Sequence, residues 1–219
     1  MSSIPSYATY RPSGGCRCPA YLDWLQMLSG ACLVLFMWAH VCLVSSVILG
    51  PGVMNAIAKF FEITKLVQVG GPVIFAVFLV HFVLASRKIP FTTREQGAML
   101  ANARRMRHTD TWLWVVQAVT AMIILIMGAI HMWVILTDLP ITAQKSAARV
   151  QTGWWLAFYL LLLPMVELHV GIGFYRILVK WGVIGSRGRF GFKKKENMLT
   201  AIMVAIGLIT LARFWFLAI

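Results

Sequence analysis

Acidic residues are scarce. The chain has 7 Asp and Glu among 219 residues, and charged residues of both signs make up 12%. A soluble domain ordinarily carries about 25% charged and 45–50% apolar residues. Here 60% are hydrophobic and the mean hydropathy is +0.79, so too little polar surface remains to coat a water-soluble monomer. The low hydrophobicity that disorder requires is also missing. The shortage of acids leaves a formal net charge of +13 from 20 Lys and Arg. Long apolar runs separate these cations, which sets nucleic-acid binding aside. The pattern predicts an integral membrane protein whose cations gather at one face of the bilayer. Cysteine is sparse too, at 4 residues. Cys16 and Cys18 form an isolated pair, and Cys32 and Cys42 are expected to pack within the first apolar segment.

A spanning helix needs about 20 mostly apolar residues. Five segments meet that length, at roughly 21–49, 66–86, 111–136, 153–181 and 198–217. The expected fold is an all-α integral membrane protein, a bundle of five transmembrane helices. A tail, 1–20, precedes one transmembrane domain, 21–219. No cleavable signal is expected, because the first apolar segment is too long and lacks a small-residue cleavage site. The loops are too short for a soluble catalytic module, and there is no internal repeat.

The cations predict orientation. Between the second and third segments lie Arg87, Lys88, Arg94, Arg104, Arg105 and Arg107. Between the fourth and fifth lie Lys180, Arg187, Arg189, Lys193, Lys194 and Lys195. The tail adds Arg11 and Arg17, whereas the opposite loops hold only Lys59, Lys65, Lys145 and Arg149. The positive-inside rule then predicts a cytoplasmic N-terminus and a C-terminus outside.

Four of five histidines fall inside apolar segments, each on a different one: His40, His81, His131 and His169. Ionisable side chains within a membrane mark functional sites. At 1.5 Å per residue, His40 lies roughly 24 Å beyond Trp24 and His131 roughly 31 Å beyond Asp110. His81 lies roughly 8 Å before Ser86, and His169 roughly 16 Å before Lys180. Two histidines are thus outer and two inner. Two bis-histidine b-type haems fit this arrangement with none left over: His40 with His131 outside, His81 with His169 inside. Bis-imidazole ligation fills both axial positions, so such iron transfers electrons rather than binding oxygen. A zinc or copper site would want its ligands at one depth, with Cys or carboxylate. No Cys-x-x-Cys-His occurs, so covalent haem attachment is not indicated. Gly173, Arg176 and Lys180 follow His169 at helical spacing. They offer room for a flat macrocycle and cations for its propionates, or alternatively close helix packing and snorkelling.

Asp23, Glu95, Asp110, Asp138 and Glu196 are expected at helix ends or in loops, solvated or capping. Glu167 falls near the midpoint of the fourth segment, where a carboxyl suits a proton path or a structural hydrogen bond. Glu62 precedes the second segment, within a short amphipathic stretch, 53–64. There it would accept a quinol proton or simply be solvated. His108 is expected to be interfacial rather than an iron ligand.

These residues carry a resemblance. Leu22-Asp23-Trp24, Lys59-Phe60-Phe61-Glu62, Met106-Arg107-His108-Thr109-Asp110 and Glu167-Leu168-His169, followed by Tyr175-Arg176 and Lys180-Trp181-Gly182, resemble the dihaem cytochrome b subunit of the quinol:fumarate reductase and succinate:quinone oxidoreductase family. The resemblance runs from Leu22 to the C-terminus. It implies two haems b ligated by the four histidines above, with Gln26, Trp114 and Lys180 near the inner haem propionates. Glu62 would serve menaquinol oxidation and Glu167 a transmembrane proton path. The implied partners are an iron–sulfur subunit and an FAD-containing flavoprotein subunit on the cytoplasmic side, in a dimer of heterotrimers within the bacterial cytoplasmic membrane. Succinate oxidation would use the same parts in reverse. Hydrogenase and formate dehydrogenase anchors, which also carry spaced transmembrane histidines, are alternatives. So is a haem-free scaffold or transporter.

Overall fold

The structure, a computed structural model, describes residues 18–218, with side chains from residue 19. Residues 1–17 of the expected tail, Cys16 among them, and the side chain of Cys18 lie outside the described residues, while residues 18–20, expected in the tail, already belong to the first helix. Eight α-helices follow in order: α1 Cys18–Ser45, α2 Pro51–Ile63, α3 Leu66–Ser86, α4 Thr93–Met106, α5 Thr109–Thr137, α6 Ala143–Gln151, α7 Trp154–Lys180 and α8 Arg189–Trp215. The described residues include no strand. Helices α1, α3, α5, α7 and α8 are long and apolar enough to cross a membrane. Within lipid a helix is the natural choice, because it satisfies every backbone polar group internally.

Two expectations change. The fifth spanning helix begins at Arg189 rather than near residue 198, so Lys193, Lys194, Lys195 and Glu196 belong to its first turns and not to a loop. Cys32 and Cys42 are exposed on α1 instead of packed. Three short helices, α2, α4 and α6, add to the five spans. Helix α4 begins with a capping box: Thr92 Oγ1 accepts from the Glu95 N–H at 3.2 Å, and Glu95 Oε2 accepts from the Thr92 N–H at 3.3 Å. Those bonds hold the Glu95 carboxyl below its ordinary value. Helix α6 is capped by Thr142, whose Oγ1 accepts from the Lys145 N–H at 3.2 Å.

Helices α1, α3, α5 and α7 close a ring: α1 packs on α3, α3 on α5, α5 on α7, and α7 back on α1. These are the four helices that carry the membrane histidines. Helix α8 packs outside the ring against α7 and α1. Between membrane helices there is no hydrophobic drive, so close approach at small residues matters most. Gly171 of α7 is such a place. A Cβ there would collide with the Glu196 carboxylate and Thr200 Oγ1 of α8. Large exposed side chains such as Leu35, Val69, Val83, Ile126 and Trp133 lie on the spanning helices, as lipid-facing residues should.

Two ends are tied differently. At the basic end, Asp23 at the start of α1 meets Arg87 and Lys88 after α3, at 3.2 and 2.9 Å, and Lys180 at the end of α7, at 3.8 Å. Asp110, at the start of α5, accepts from Tyr175 Oη at 3.2 Å and meets Arg189 at 3.5 Å. At the opposite end the chain turns at Gly50, whose φ of 137° lies outside the range L side chains adopt, and α2 begins with Pro51 at its first turn. Asn55 of α2 then grips α6: its Oδ1 accepts from the Ala143 N–H at 2.7 Å, and its Nδ2 donates to Gln144 Oε1 at 3.0 Å. Val47, Met54, Ala143, Ala147, Val150, Phe214 and Leu217 form a buried apolar cluster there.

Candidate haem-binding cavity

The ring encloses a cavity of about 980 Å³. His40, His81, His131 and His169 all line it, one from each helix. The two basic-end histidines are held by carbonyls of the neighbouring helix. His81 Nδ1–H donates to the Gln26 carbonyl at 3.1 Å, with Ser29 Oγ at 3.0 Å. His169 Nδ1–H donates to the Gln117 carbonyl at 3.1 Å, with Thr120 Oγ1 at 3.2 Å. A carbonyl can only accept, so the proton sits on Nδ1 and the Nε2 lone pair is left for a metal. Each ring is fixed by a bond on its far nitrogen, as metal-ligating histidines are.

The second level lies further along. The rings of His40 and His131 lie edge to face, with centres 5.9 Å apart and planes at 69°. Rings this close could hold one metal ion between them. His131 Nδ1 lies 3.2 Å from Tyr159 Oη. Gln26 precedes His40 by fourteen residues on α1, and Gln117 precedes His131 by fourteen on α5. The levels are therefore separated by about 21 Å on both helices.

Further features suit a flat acidic macrocycle. A Cβ on Gly30 would come within 2.9 Å of His81 Cε1, so only glycine leaves that imidazole its place. Gln26 Oε1 is buried without a hydrogen-bond partner among the described residues, and Trp114 and Lys180 line the same wall. The residues present fit two haems.

Glu167 is buried and lines the cavity. It also lines a second void, of about 10 Å³, with Gly171, Glu196 and Thr200. Glu196, expected at a helix end or in a loop as a solvated or capping residue, is instead buried against α7 and accepts from Lys193 and Thr200. Helix α8 simply begins early enough to carry it inward. Glu62 sits at the end of α2, half-buried. Its neighbour Phe61 lines the cavity, and Glu62 does not. His108 stands before α5, exposed and away from the cavity.

Four partners carry no local sequence signal: Ser29, Thr120, Tyr159 and Gln117. They lie 28 to 52 residues from the histidines they touch, so only the packed ring reveals them. Arg149, which the charge pattern assigns to a loop, reaches the cavity wall from α6.

Residues 93–210 match the family described as succinate dehydrogenase/fumarate reductase transmembrane subunit. A fumarate reductase cytochrome b subunit from Wolinella succinogenes is 34% identical over 97% of this chain and 89% of its own length. The chain belongs to this family. Fumarate reductase cytochrome b subunits from two Helicobacter pylori strains are 36% identical over 87% of this chain and 78% of their own length. Membership makes the chain the membrane subunit of an oxidoreductase complex, a multi-pass protein of the bacterial inner membrane. Hydrogenase and formate dehydrogenase anchors no longer account for it.

Proposed function

We propose that the chain is the membrane anchor and electron-transfer subunit of a quinol:fumarate reductase. It would hold two haems b, His40 with His131 and His81 with His169. The observation that carries this reading is the placement of four imidazoles, one per helix, at two levels of a single cavity. When bound, a haem held by two of these imidazoles would supply one-electron transfer.

The residues divide the remaining tasks. Carbonyls of Gln26 and Gln117 orient His81 and His169 through their Nδ1–H groups. Gln26, Trp114 and Lys180 would meet the propionates at the basic end. Menaquinol oxidation releases two electrons and two protons, and Glu62 would take a proton at the other end. Glu167 would carry compensating protons through the middle of the membrane. By the positive-inside rule the basic end is cytoplasmic, which puts residue 18 inside and residue 218 outside. That end would dock the iron–sulfur subunit and, beyond it, the FAD-containing flavoprotein subunit, in a dimer of heterotrimers.

Purification of the complex tests the reading. A pyridine haemochrome spectrum should show two haems b per chain, and a covalent-FAD subunit should copurify. Fewer than two haems, or a nickel or molybdenum subunit in place of the flavoprotein, would overturn it.

A further inference from the structure

Charge along the cavity wall is uneven. Toward the basic end the wall carries Lys88, Arg176 and Lys180, and toward the other it carries Arg149. Three of these cations have a carboxylate within 4 Å. Lys88 and Lys180 share Asp23 at 2.9 and 3.8 Å, and Arg149 meets Asp138 at 2.7 Å. Arg176 has no such partner among the described residues. Its Nη1 donates to the neutral Oε1 of Gln117. Asp110 lines the wall nearby, but its oxygens accept from Tyr175 at 3.2 Å and Arg189 at 3.5 Å.

Gln117 joins this cation to an imidazole. Its main-chain carbonyl holds His169, and its side-chain oxygen holds Arg176. Arg176 follows His169 by seven residues, two turns along one face of α7, about 10 Å away along the axis. Gly173 lies between them, and a Cβ there would press on Gln117 Nε2 at 3.2 Å. The residue that bridges imidazole and guanidinium therefore needs a glycine opposite it.

We propose that Arg176 sets the reduction potential of the iron centre held by His81 and His169. The inference rests on the two-haem reading above. A positive charge with no carboxylate within 4 Å favours the form that carries one more electron. At the other level Arg149 is offset in part, by the Asp138 carboxylate it shares with Lys145.

The experiment is a potentiometric titration of haem absorbance in the purified complex. The component lost in His81→Ala identifies the basic-end centre. Arg176→Gln should lower that midpoint by at least 59 mV, a tenfold shift for a one-electron couple, and leave the other midpoint in place. Arg176→Lys should stay near the parent value. Gln117→Glu keeps the main-chain bond to His169 and brings a carboxylate to the guanidinium, so it should lower the same midpoint. Two haems with an unmoved midpoint in either Arg176→Gln or Gln117→Glu would overturn the inference alone. Loss of the basic-end haem in both variants would overturn it too, since the pair would then bind rather than tune. Fewer than two haems in the parent complex would instead remove the two-haem reading, and this inference with it.

Discussion

The Tyr159 hydroxyl lies 3.2 Å from Nδ1 of His131, joining α7 to α5 at the level where His131 lies beside His40. A hydrogen bond on the far nitrogen sets the orientation and basicity of a ligating imidazole, and removing it costs 10–100-fold in affinity or activity in typical metal sites. Tyr159→Phe should therefore keep the fold, weaken retention of the haem at that level by a factor in this range, and shift its midpoint. Haem content and a redox titration check both.

Histidine replacements should sort by level. His40→Ala or His131→Ala should lose one haem, and His81→Ala or His169→Ala the other. Absorption and magnetic resonance spectra of the four variants would show two matching pairs. Loss of the same component from His40→Ala and His81→Ala would break the pairing.

The two carboxylates should separate by electron donor. Glu62→Gln is expected to abolish menaquinol-driven fumarate reduction while leaving reduction by an artificial dye intact. Glu167→Gln should impair the quinol-driven reaction with both haems retained. Full quinol-coupled activity in Glu167→Gln would refute its proton role.

Much of this was legible before the fold. Lipid thickness imposes a length on every span, so hydropathy places α3 at 66–86, as observed. Depth along a helix separates the histidines into two levels without tertiary knowledge. The start of α8 was obscured because Lys193, Lys194, Lys195 and Glu196 read as a loop, although helical turns extend beyond the apolar stretch. Helix α6 was hidden for a related reason: its buried residues are Ala143, Ala147 and Val150, too few and too small to raise the local hydropathy. Burial of Glu196 could not be foreseen, because it depends on Gly171 arriving from another helix.

That notch gives a stability test. Gly171→Ala would push a methyl group into the Glu196 carboxylate and Thr200. Overpacking of this kind costs about 1–3 kcal/mol. Thermal denaturation in detergent should show a lowered midpoint, and Glu196→Ala, by making room, should restore part of it.

Asp138 gives a pH test. Lys145 at 2.8 Å and Arg149 at 2.7 Å hold its carboxyl below the ordinary value. A depressed carboxyl stabilises the fold above its unfolded value, about 3.9, and loses that contribution as pH falls through the lower folded value. Asp138→Asn should therefore unfold earlier than the parent at pH 6, and the two curves should draw together as pH falls below about 3.9.

The amide of Gln151 reaches the carbonyls of Phe214, Trp215 and Leu217 at 3.0, 3.1 and 2.8 Å. A ribosome makes its acceptors more than sixty residues after Gln151 itself. Throughout that interval α6 holds a polar group with nothing to grip, so insertion of α8 becomes the event that completes the far end of the bundle.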